Sequence, residues 1–522
     1  MRRAGHALVL LPAASALVLM IVRLARDVHG KPLIEDEAVA GLIGARPLGE
    51  LLGTVLGDRG GAPLHFLLVH VVLAFDSSAV ALRWLSVGLA VATSITCLEL
   101  GRRLAGPVAG AAAAIVAATS GLLTIYGGIA RMYALFALVG GLAAVLFVRA
   151  VERRTAEAAF SAALAAWLLP ATHPYGGIAL AGEALVALGL WRGRPLRPAL
   201  PALGVAAAAL PFVFVDLRLA HRFEVGAGGG RSLADPGETW RQLELAVRGS
   251  GGGGGLALVV CLALAAAGLA TLARTQPAFV ALAGTWLLAP PLMFLVVRSG
   301  SSPDLSPRHL IYALPAWAAV VGVGAARVLR RLGSPLQAAA LGLLALVAAF
   351  GSAGVPDPRS LTYVAGLSSE HELAGPGAAL RAEVHSDDVL FPFSPVYLAG
   401  LPTTGRARSL PRAEPQLVVR AVRRVELPAN EVFVAVPVGE TRIQLERLRH
   451  RDLVPQRVGG WLIVRRLGPF ADRVAILEAA ADALREARSA RIGPIPPQLA
   501  GYYTQNLAVL ASARRRLHST HG

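Results

Sequence analysis

Long apolar runs separated by short arginine-bearing breaks fill the chain from its start to about Gly354, and then they stop. Runs of 15–22 residues suit helices that cross a hydrocarbon layer of about 30 Å, because an α-helix rises about 1.5 Å per residue. The pattern predicts eleven spans, near 6–24, 80–100, 107–125, 132–148, 157–171, 176–191, 198–219, 256–272, 277–297, 310–326 and 335–355. Segment 6–24 follows Arg2 and Arg3 as a signal peptide would. Its apolar stretch continues through Leu17 to Val22, so it is read as a retained first span. The run 62–75 is short, opened by Pro63 and marked by His65 and His70. It is expected to lie flat at the outer interface rather than cross.

After about Asp357 the period changes. Short β-rich runs occur at 388–391, 431–436 and 461–464, with helical patterns near 373–384 and 472–490. The expected fold class is therefore a polytopic α-helical membrane protein with about eleven transmembrane helices and a C-terminal extracytoplasmic α/β domain. The transmembrane domain covers 1–356, with an outer loop at 25–79 and a flexible, glycine-rich outer loop at 220–254 around a short helix at 237–247. The soluble domain covers 357–522.

Composition supports this division. Hydrophobic residues make up 55% of the chain and charged residues 16%, and the mean hydropathy is +0.58, which excludes a disordered tail or an ordinary soluble enzyme. The net charge of +17 is almost all arginine, since Lys31 is the one lysine. It forms no basic stripe with interleaved aromatics, so nucleic acid is not an expected partner. Arginine instead marks the cytoplasmic side. With the N-terminus inside and 62–75 not crossing, the inner loops hold 14 arginines in 37 residues, and the outer loops 11 lysines or arginines in 112. Cys97 and Cys261 both sit in apolar runs and offer neither a disulfide framework nor a metal site.

That topology gathers the chemistry-bearing residues on the outer face. Glu35, Asp36 and Glu37 follow the first span, His65 sits on the interfacial helix, and Arg131 and Tyr133 open the fourth span. His173 and Tyr175 occupy a tight turn, and Asp304, Arg308 and His309 precede the tenth span. Glu183 falls within an apolar run, where an acid is either functional or a neutral structural group.

In order along the chain stand Asp36-Glu37, Ala62-Pro63-Leu64-His65-Phe66, Leu82-Arg83-Trp84-Leu85-Ser86 and Gly101-Arg102-Arg103-Leu104. Next come Ala130-Arg131-Met132-Tyr133-Ala134-Leu135, Thr172-His173-Pro174-Tyr175-Gly176 and Arg308-His309-Leu310. This ordered set resembles the GT-C superfamily of membrane glycosyltransferases, particularly the bacterial relatives of protein O-mannosyltransferases and the lipid A aminoarabinose transferase. The resemblance covers about 1–330.

It implies transfer of a sugar from a polyprenyl-phosphate donor to a hydroxyl of an envelope glycan, lipid or protein, by inverting displacement at the outer face of the plasma membrane. Asp36 matches the family's catalytic base, with Glu37 beside it. The leaving phosphate needs positive charge, which Arg131 and Arg308 supply, with His173 as a third partner. His65, Tyr133, Tyr175 and His309 would line the substrate pocket. Many relatives carry an acid just before the Ala-Arg-Met-Tyr element. Here no carboxylate stands between Gly121 and Phe136, so either Glu37 or Glu35 would substitute or activity would be altered. No cofactor is implied. A divalent metal lacks support, because Asp36 and Glu37 are adjacent and no paired ligand motif joins them. The competing readings are a secondary transporter and a ligase or polymerase of envelope polysaccharide.

Overall fold

In a computed structural model of the protein, the residues described are 2–29, 35–58, 62–76, 78–191, 204–205, 207–208, 210–211, 236–251, 253–296, 307–351, 371–391, 407–410, 415–438, 441–448, 452–495 and 497–519. The chain divides into two compact units. One holds residues 1–29, 52–68 and 80–356, and the other holds 30–51, 69–79 and 357–522.

The first unit is helical. Among the described residues six helices are long and apolar enough to cross a membrane, at Ala7–Val28, Val80–Ala105, Tyr133–Arg153, Gly255–Thr275, Pro307–Leu329 and Ser334–Gly351, which makes this a multi-pass membrane protein. Four further expected spans appear as apolar helices at Pro107–Thr119, Ala156–Thr172, Gly176–Trp191 and Pro277–Val296. The expected span 198–219 falls mostly outside the described residues.

Three details depart from simple spans. The run 107–125 breaks at Ser120, whose hydroxyl caps the short helix Gly121–Tyr126 by accepting from Leu123 N and also donates to the Gly249 carbonyl at 2.9 Å. The tenth span begins as a 3-10 turn, Pro307–Ala313, before becoming the helix Leu314–Leu329. Segment 25–79 contains helices Glu35–Gly44, Leu48–Asp58 and Leu64–Leu73. The last has 10 residues, about 15 Å, half of what a crossing needs. In the glycine-rich loop, helix Pro236–Ser250 contains the expected one, and 220–235 lies outside the described residues.

Small residues let these helices approach. A methyl group at Gly324 would overlap the Leu264 carbonyl, one at Gly268 would overlap the Val320 carbonyl, and one at Gly322 would overlap the Ala109 carbonyl. Backbone contact of this kind is how helices pack where lipid offers no hydrophobic drive between them.

The second unit contains a five-stranded sheet in the order β2-β1-β3-β5-β4, with β1 at Asp388–Phe391, β2 at Ala407–Ser409, β3 at Ala429–Pro437, β4 at Leu453–Val458 and β5 at Trp461–Phe470. Strands β2, β1 and β3 run parallel, and β3, β5 and β4 pair antiparallel. Alternation along β3 and β5 separates two cores. Val432, Val434, Val436, Leu462 and Val464 face helices Arg473–Ser489, Pro497–Ser519 and Pro415–Arg423. Phe433, Ala435, Trp461 and Ile463 face Leu380 and Val384, at the end of helix His371–Glu383. The arginine-rich 512–517 segment lies inside helix Pro497–Ser519, where Ala513 and Leu517 are buried and Arg514 pairs with Glu478 at 2.9 Å.

Candidate functional site

The element Ala130-Arg131-Met132 lies in the break between helices Gly121–Tyr126 and Tyr133–Arg153, held by a bond from Arg131 N to the Ile129 carbonyl at 2.7 Å. The break leaves Arg131 half-buried beside Tyr133, which is buried. His173 ends helix Ala156–Thr172 in an extended conformation, and Pro174 prevents the helix from continuing. Gly176 restarts the next helix against the Leu169 carbonyl carbon, where a side chain would collide. Arg308 and His309 sit on the 3-10 turn Pro307–Ala313. This turn packs so closely on helix Tyr133–Arg153 that a methyl at Gly140 would overlap the Tyr312 carbonyl.

These three breaks bring one cluster together. His173 stacks on Phe136 with centroids 5.0 Å apart, and lies 5.9 Å from Tyr133, 5.3 Å from Tyr175 and 5.3 Å from His309. Tyr175 stacks on His309 at 4.6 Å, and the Arg308 guanidinium lies 5.6 Å from the Tyr133 ring centre. Tyr312 closes the floor, packing on Phe136 at 4.9 Å and donating its hydroxyl to the Trp286 carbonyl at 2.8 Å.

Burial first, then the charges of Arg131 and Arg308, hold the His173 pKa down to about 3. Both guanidiniums therefore act on one imidazole. His65, buried in the same unit, is likewise lowered to about 3 by burial and by Arg131, against a smaller opposing effect of the Ala130 backbone. Both imidazoles are neutral at physiological pH. His173 Nδ1 accepts from Tyr175 N at 3.2 Å, which leaves Nε2 as the N–H donor.

Of the residues expected from sequence, Arg131, Arg308, His173, Tyr133, Tyr175 and His309 thus share one neighbourhood, and His65 senses Arg131. Asp36 and Glu37 fall in the first turn of helix Glu35–Gly44. Glu37 is fully buried, whereas the side chains of Glu35 and Asp36, and all of Asp304, lie outside the described residues. Among the described residues no group of three or more His, Cys, Asp or Glu side chains is arranged to hold a metal ion.

Sequence reasoning overlooked Phe136, Tyr312 and Tyr126, the last of which meets Tyr133 edge-on at 4.9 Å. Phe136 follows Tyr133 by one helical turn, and Tyr312 follows His309 by the three-residue period of a 3-10 turn, so spacing carried a signal for both. Arg83, quoted only as part of a motif, proves fully buried and donates to the Val28 carbonyl at 3.2 Å, capping the end of the first helix.

No protein-family model and no curated protein sequence matches the chain. Solved structures do. ArnT from Cupriavidus metallidurans in the apo state superposes with a TM-score of 0.54 at 13% identity, covering 87% of this chain and 97% of that one. ArnT from Cupriavidus metallidurans bound to undecaprenyl phosphate gives a TM-score of 0.54 at 14% identity, with 88% and 98% covered. The chain has the GT-C fold. The oligosaccharyltransferase of Archaeoglobus fulgidus in its apo form is more distant, at a TM-score of 0.45 and 13% identity over 82% of this chain and 69% of that one. Within this GT-C fold the aromatic and histidine cluster belongs to the helical unit.

Proposed function

We propose that this protein is a membrane glycosyltransferase that moves a hexosyl or pentosyl group from a polyprenyl-phosphate donor to a hydroxyl of an envelope glycan, lipid or protein. The carrying observation is geometric: the Arg308 guanidinium lies 5.6 Å from the ring of Tyr133, two residues after Arg131, so cations 177 positions apart in sequence meet at the cluster around His173. The GT-C fold adds support, as does the undecaprenyl phosphate bound in one of the similar ArnT structures.

In this reading Asp36 takes the proton of the acceptor hydroxyl as its oxygen attacks the anomeric carbon. The bond from that carbon to the donor phosphate oxygen breaks, and the electron pair leaves with the phosphate. Negative charge grows on the departing oxygens, where Arg131 and Arg308 offset it through charge-assisted hydrogen bonds. His173 contributes a neutral N–H from Nε2 rather than a third positive charge. The Tyr133, Tyr175 and His309 rings keep water from that region and offer a flat wall to a sugar. Glu37 shares the first turn of the helix that bears Asp36 and stands as the second acid. Because the phosphate is already a good leaving group, the scheme asks for one base and two cations and no general acid.

The test is transfer from a radiolabelled polyprenyl-phosphate sugar in membranes carrying the protein. Asp36→Asn is expected to abolish turnover while donor binding persists, and retained turnover would remove Asp36 from the mechanism. Arg131→Ala and Arg308→Ala are each expected to weaken donor binding about tenfold or more, the scale of a charged hydrogen bond. Unchanged donor affinity in both would assign them structural roles instead.

A further inference from the structure

The sheet-bearing unit buries a guanidinium that has no counter-charge among the described residues. Arg491 follows helix Arg473–Ser489 and is 7% exposed. Its backbone is locked to the 441–444 segment by a bridge with Ile443, with Gln444 N donating to the Ala490 carbonyl at 2.8 Å and Ile492 N donating to the Arg442 carbonyl at 2.9 Å. The side chain cannot swing out to solvent without breaking its own bonds. Nη2 donates to the Val438 carbonyl at 3.2 Å and to the Thr441 hydroxyl at 2.6 Å.

Those bonds use two of the five N–H donors of a guanidinium. Nε and Nη1 are buried and have no partner, and no carboxylate of the described residues pairs with Arg491. Tyr503, whose ring centre lies 6.0 Å from the guanidinium carbon, is fully buried with its hydroxyl also unpartnered. Two further arginines lie nearby. Arg457 donates to the Thr441 carbonyl at 3.1 Å, and Arg488 acts on the Tyr503 phenol. Burial of an unpaired charge is costly, and such a group is met by an opposite charge wherever one is on hand.

We propose that Arg491 and Tyr503 form a binding site for an oxyanion, a phosphate or carboxylate group that accepts from the free donors of Arg491 and from the Tyr503 hydroxyl. It would hold an acidic group of a glycan or lipid, a task in which Asp36, Arg131 and Arg308 take no part.

Full-length protein in detergent micelles is titrated with inorganic phosphate and, separately, with glucuronate, each at constant ionic strength set by sodium chloride. Hydrogen–deuterium exchange is followed in peptides covering 438–448 and 497–510. The expected result is saturable protection by at least one of the two anions. Phosphate alone would mark a phosphorylated ligand and glucuronate alone a uronic acid. Arg491→Gln is expected to raise the apparent Kd about tenfold or more, and Tyr503→Phe, which keeps the ring, several-fold. The proposal is overturned if neither anion protects beyond chloride, or if Tyr503→Phe and Arg491→Gln both bind as the parent does, in which case water meets the buried donors.

Discussion

His173 accepts a backbone N–H at Nδ1 and is held near pKa 3, so it enters the fold without a proton and keeps that state across the working pH range. The consequence for stability has a definite sign. The unfolded chain protonates this imidazole near pH 6.5 and the folded chain only near 3, so its contribution is complete above 6.5 and declines as the pH falls towards 3. The slope is about 1.4 kcal/mol per pH unit for each such histidine, and His65 adds a second. Thermal unfolding in detergent between pH 7 and 5 is expected to show this loss, and His173→Gln to flatten it by about 2 kcal/mol over that range. An unchanged slope would mean that water reaches the imidazole. At this scale the sequence was legible where chemistry is rare. Arg131, His173 and Arg308 stand out because polar groups between apolar runs are few. Phe136 and Tyr312 did not, since their one-turn spacing from Tyr133 and His309 is a signal only once those two are known to line a site.

The long helices were legible from apolar runs alone, because length and hydropathy both follow from crossing a bilayer. Their breaks were not. Ser120 ends one helix and starts another through a hydroxyl that bonds the distant Gly249 carbonyl, a contact with no signature in local periodicity. Helix Leu48–Asp58 was hidden in the loop after the first span by glycines that lower its propensity. Packing between helices rests on particular glycines, and this can be tested against a control. Gly324→Leu drives a side chain into the Leu264 carbonyl and is expected to cost about 1–3 kcal/mol or to prevent assembly. Gly342→Ala, where nothing lies within 4 Å, is expected to be neutral or to stabilise by up to about 1 kcal/mol. Monodispersity and melting temperature in detergent separate the two. Arg83→Met removes the bond to the Val28 carbonyl and is expected to loosen the end of the first helix, read as faster amide exchange over 20–29.

For the whole molecule, the change from long apolar helices to a small sheet was readable from the loss of long apolar runs after Gly354. What composition could not foresee is that residues 30–51 and 69–79, from the loop after the first span, cluster with the C-terminal residues. Orientation across the bilayer is a separate expectation, derived from arginine distribution. Cys97 and Cys261 are both buried, so a cysteine replacing the exposed Glu446 gives a clean report. Glu446→Cys is expected to react with a membrane-impermeant maleimide in intact cells. Reaction only after lysis would invert the topology. Among the described residues the two sheet faces, finally, are covered by helices from residues 371–519. A shortened gene starting at codon 371 should therefore yield a water-soluble fragment, small enough for solution spectroscopy, in which the acidic-ligand pocket can be studied without lipid.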